Sequence, residues 1–155
     1  MTTSLPTIAL PQKRSRIRWK RVLIAAFLSE VAVMALMSTI MALRAFVIAP
    51  TLSGGELQEF GELVGYYVAA PAAAFATFLW SYWAVRKLDS RFVANGLLVG
   101  IVATLLSVGF IVTARPEHRW MYVLSFLLRI AAGYWGGVAA QYVKGARNDH
   151  AHQVR

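Results

Sequence analysis

The chain has 155 residues, of which 58% are apolar and 15% charged, with 16 Lys and Arg against 7 Asp and Glu and no cysteine. A soluble domain carries about 45–50% apolar and about 25% charged residues, so this composition points to a chain that lives in a bilayer. Without cysteine there are no disulfides, zinc-thiolate sites or iron–sulfur clusters, and the length fits one domain.

In chain order, residues 1–21 read as a disordered tail, with Pro6 and Pro11 in its first dozen residues. The tail ends in a polybasic cluster of Lys13, Arg14, Arg16, Arg18, Lys20 and Arg21, set directly against apolar sequence. Each basic residue near a bilayer surface gains about 1 kcal/mol from anionic headgroups, so lipid is the expected partner of this cluster. Nucleic acid is not expected, because the segment is short and carries no binding motif.

Four apolar runs follow, at 22–43, 63–84, 92–113 and 120–143, together 90 of the 155 residues. As helices they extend about 33–36 Å each, enough to cross a hydrocarbon core of about 30 Å. They lack the alternation of a barrel strand and the polar face of a soluble helix. The first run exceeds the roughly 7–15 residues of a signal-peptide core, so it reads as a retained anchor. Pro50 closes the first helix, and Ser53 with Glu56 offers a capping box for the second. Asp89 or Ser90 is placed to cap the third, and Pro116 stops it. The tail at 144–155 completes the chain. The expected fold is an all-α integral membrane protein of four transmembrane helices in an antiparallel bundle.

Charge sets the orientation. Twelve basic residues fall in the leading tail, the 86–91 turn and the trailing tail, against Arg115 and Arg119 on the other side, where Glu56, Glu59 and Glu62 also lie. The positive-inside rule then puts both termini in the cytoplasm, in an inner (plasma) membrane. Aromatic anchors follow the same division: Trp19, Trp80, Trp83 and Tyr142 inside, Tyr66, Tyr67, Trp120 and Tyr122 outside.

Helix association in lipid depends on close packing of small residues and on polar contacts. Gly96 and Gly100 in the third helix, and Gly133, Gly136 and Gly137 in the fourth, have the spacing for such packing, within one chain or between chains. Pro71 removes a backbone hydrogen bond in the second helix, frees the Tyr67 carbonyl and predicts a kink.

Two ionisable residues interrupt the runs: Glu30 in the first and Arg129 in the fourth. Each costs at least about 2.5–3.5 kcal/mol near mid-bilayer, so each needs a partner or a role. Counting along the helices puts Glu30 about 12 Å and Arg129 about 21 Å from the inner boundary. Tilt would let them bridge, but Tyr134 and Thr77 match the Glu30 layer, while Ser38, Thr104, Ser107 and the Tyr67 carbonyl match the Arg129 layer. Arg44 sits at the outer end of the first helix, within reach of Glu56 or Glu59.

A single Glu in the first of four helices, in the run Leu28-Ser29-Glu30-Val31, resembles the small multidrug resistance exporters. The strong charge bias, the greater length and the absence of that family's third-helix pattern set this chain apart from them. No histidine lies in an apolar run, so haem ligation, metals and other cofactors are not expected. His150 and His152 read as solvated tail. The loops hold no nucleophile–base pair and no phosphate-binding motif. The expected role is a non-enzymatic subunit or accessory factor of a membrane assembly, in homo- or hetero-oligomers. The alternative is a small ion-coupled transporter or channel, working as a homo-oligomer with Glu30 as the coupling carboxylate.

Overall fold

The computed structural model describes residues 17–48, 53–88, 90–113 and 116–153. Among these there are helices and turns but no strand. The helices are α1 (Trp19–Leu43), α2 (Gly54–Tyr67), α3 (Ala69–Val85), α4 (Phe92–Ser107), α5 (Gly109–Thr113) and α6 (Arg119–Gln153). Lys13, Arg14, Arg16, Pro50 and Asp89 lie outside the described residues, as does the expected disorder of the first dozen.

Among the described residues, two helices are long and apolar enough to cross a membrane, Trp19–Ile48 and Arg119–Ala146, and the bent pair α2–α3 makes a third if taken as one span. The chain is therefore a helical membrane protein. Helix α1 starts at Trp19, so the end of the basic cluster is already helical, and it continues through a wider π turn from Arg44 to Ile48. No helix breaker precedes Pro50, and the Arg44 guanidinium lies 5.2 Å from the Phe60 ring centre, a cation–π contact that holds this last turn.

The second run does not form one straight helix. It breaks at Val68, and α2 and α3 meet at a bend of 47°. The cause is Pro71, which gives no N–H to the Tyr67 carbonyl and whose ring crowds the turn before it. The start of α2 forms the capping box: the Ser53 N–H donates to Glu56 Oε2 at 2.9 Å, and the Glu56 N–H donates to Ser53 Oγ at 3.4 Å.

The third run also departs from expectation. Its continuous part, α4, is 16 residues, or about 24 Å, and α5 follows only after a break at Val108. The Ser107 hydroxyl donates back to the Ala103 carbonyl at 3.0 Å, a contact that bends helices, and Gly109 adds little propensity to continue. Nor does Ser90 cap α4. The N-cap is Arg91, with a left-handed φ of 54° and no side-chain cap. Asn95 does the tying instead: its Nδ2 donates to the Arg91 carbonyl at 2.9 Å, and its Oδ1 accepts the Arg18 N–H at 3.1 Å.

Helices α1 and α6 both pack on α3 and α4. Small residues point inward. The buried stripe of α1 is Val22, Ala25, Ala26, Ser29 and Val33, while Leu23, Ile24, Phe27 and Met34 stay exposed. In water this distribution would leave the large side chains on the wrong side; in lipid it lets backbones approach and gives the large groups an apolar solvent.

Candidate functional site

The site begins with glycines. A Cβ on Gly96 would come within 2.6 Å of the Gly133 carbonyl oxygen, and one on Gly133 within 2.6 Å of the Gly96 carbonyl oxygen. A Cβ on Gly100 would come within 2.7 Å of the Arg129 carbonyl oxygen and one on Gly137 within 2.8 Å of the Phe92 carbonyl oxygen, while Gly136 faces Phe78 and Ser81 of α3. These glycines thus serve packing of α6 against α4 and α3 inside one chain. Two hydroxyls reinforce it: Ser81 Oγ donates to the Gly133 carbonyl at 2.9 Å, and Thr104 Oγ1 to the Phe126 carbonyl at 3.5 Å.

This close approach sets Arg129 beside α4. Its residue exposure is 6%. The Nη1 atom donates to the Ala103 carbonyl at 3.3 Å, to Ser107 Oγ and to Glu30 Oε1, the last forming an ion pair between α6 and α1. Glu30 and Arg129 therefore meet directly, and Ser107 joins them from the layer the sequence suggested. Thr77 is buried and bonds back to the Ala73 carbonyl at 2.7 Å. Tyr134 is 42% exposed and packs edge-on against Trp135. Neither takes part in the pair.

Above the pair lies a cavity of about 300 Å³, with Glu30, Arg129, Ser107 and Ser125 in its lining. Its wall includes Gly65 and Tyr66 of α2 and Ala69 and Ala70 of α3, so it straddles the bend. The cavity lies at the bend, where α3 packs on α1, α4 and α6 and α2 makes its main contacts with α3 and α1. Tyr66 stacks on His118 with ring centres 4.2 Å apart and meets Tyr122 edge-on at 6.5 Å.

At the opposite end, Lys144 Nζ donates to the Leu88 carbonyl at 2.6 Å and lies 5.4 Å from the Phe92 ring centre. With the Arg18–Asn95 contact, this gathers the start of α1, the 86–91 turn and the later part of α6.

Sequence reasoning did not single out Asn95, Ser81 or Ser125. The signal for Asn95 was present, as a lone amide in an otherwise apolar run that must find partners when buried. Comparison with protein-family models, curated proteins and solved structures finds no match to this chain.

Proposed function

We propose that the chain is a small non-enzymatic integral membrane protein, a subunit or accessory factor of a membrane assembly. In this reading all four apolar runs cross the inner (plasma) membrane as an antiparallel bundle, with both termini cytoplasmic and the basic cluster on anionic headgroups. The broken α4–α5 segment supplies the third crossing. The orientation is supported by the gathering of Arg18, the 86–91 turn and Lys144 at one end.

The observation that carries the functional reading is the Glu30–Arg129 pair. Each intramembrane charge is neutralised by the other, and Ser107 and the Ala103 carbonyl take further donor capacity. The pair holds α1 against α6, and the Arg129 charge balances that of Glu30 without a coupling ion. Native mass spectrometry of gently solubilised membranes tests the role: a complex with another membrane protein or further copies supports it, and a lone monomer contradicts it.

One observation favours the alternative, a homo-oligomeric ion-coupled transporter or channel: the cavity reaches the Glu30 carboxylate. That reading requires flux in proteoliposomes that Glu30→Gln abolishes while assembly is kept. The subunit reading requires no flux from either form.

A further inference from the structure

The cavity at the α2–α3 bend has the composition of a ligand site. Its volume of about 300 Å³ falls at the lower end of the roughly 300–1,000 Å³ of small-molecule pockets. Its lining is mostly apolar, with a few polar groups that include the Glu30–Arg129 pair, the usual arrangement for binding with orientation.

The polar groups set the chemistry of the occupant. Glu30 Oε1 is engaged by Arg129, while no hydrogen bond from a described residue reaches Glu30 Oε2. Ser125 is buried at the cavity, and its hydroxyl likewise has no partner among the described residues. The site thus offers a carboxylate oxygen and a hydroxyl, which together accept and donate to a ligand hydroxyl. Because Glu30 and Arg129 already cancel, a charged ligand would bring an unbalanced charge into a low-dielectric site, so the occupant is neutral. The walls carry the thioethers of Met34, Met37 and Met121 and the rings of Tyr122 and Phe126. Thioethers adapt to irregular apolar shapes and contact aromatic edges favourably.

We propose that this cavity binds a neutral amphipathic small molecule, an apolar aromatic or alkyl body with one hydroxyl directed at Glu30 Oε2 and Ser125 Oγ. The inference goes beyond the subunit role and does not depend on it, since binding by the purified chain needs no partner protein.

Gly65 suits the test, because it lines the cavity and a Cβ there meets nothing within 4 Å. The probes are 2-naphthol and naphthalene, which share a body and differ by the hydroxyl. Each is measured by equilibrium dialysis against the full chain in detergent micelles, with empty micelles as reference. Saturable uptake of one 2-naphthol per chain is expected, with naphthalene bound about tenfold more weakly, the size of one net hydrogen bond. Ser125→Ala weakens 2-naphthol severalfold and leaves naphthalene unchanged, and Gly65→Phe abolishes saturable uptake of both. Thermal unfolding shows whether Gly65→Phe folds; if it does not, Ala70→Leu fills the same wall and is held to the same outcome. Uptake that never departs from empty micelles, or saturable binding that survives in a folded cavity-filled variant, overturns the proposal.

Discussion

At the scale of single residues, the ion pair makes the sharpest energetic demand. Removing one member leaves the other buried and uncompensated, at a cost of about 3–5 kcal/mol, whereas replacing both with apolar groups of similar size is near neutral or better. Arg129→Met should therefore unfold at markedly lower denaturant or temperature than the native chain, and Glu30→Leu/Arg129→Met should recover most of the loss. A double variant as unstable as the single one would show that the pair does not hold α1 to α6. Glu56, ahead of the second apolar run, gives a pH prediction. The Ser53 backbone N–H, then the Ser53 hydroxyl, holds its carboxyl below the ordinary carboxylate value. A lowered value means the cap is intact above the ordinary range and lost as pH falls through the lowered one. Protection of the first-turn amides of α2, taken relative to the unstructured exchange rate at the same pH, should be lost only below that range, and Ser53→Ala should abolish the difference. Both charges and the capping box were legible from residue type and spacing alone. The pairing of Glu30 with Arg129 was not, because counting rises along ideal helices left them about 9 Å apart in depth and ignored the reach of a long guanidinium arm.

Among the helices, the glycine contacts between α4 and α6 are the least tolerant feature. Gly133→Ala puts a methyl 2.6 Å from a backbone oxygen, and such overpacking costs typically about 1–3 kcal/mol where the backbone must move. Gly109→Ala meets nothing within 4 Å and raises helix propensity by about 1 kcal/mol. Thermal unfolding of the two variants should move in opposite directions, and equal shifts would remove the packing argument. The spacing of Gly96, Gly100, Gly133 and Gly137 was readable as a packing face, but sequence left open whether the contact lay within or between chains. The breaks at Val68 and Val108 were harder to read. Pro71 foretold the first, displaced into the preceding turn. The second depends on Ser107 bonding back to Ala103 and on Gly109, signals too weak to outweigh a continuous apolar run.

For the whole molecule, composition and the length of the apolar runs carried the membrane assignment, and the large apolar groups exposed on the helices agree with it. The cavity lay beyond sequence reasoning. It lies at the angle between α2 and α3 and is walled by α1, α4 and α6 as well, a relation between elements that no local pattern encodes. The central proposal, four crossings with both ends in the cytoplasm, is open to direct test because the native chain has no cysteine. Single substitutions Ser4→Cys, Gly55→Cys, Ser90→Cys and Gly145→Cys can be probed with a membrane-impermeant maleimide in sealed right-side-out vesicles. We expect Gly55→Cys to label in intact vesicles, and the other three only after permeabilisation. Labelling of Ser4→Cys and Gly145→Cys from opposite faces would contradict it.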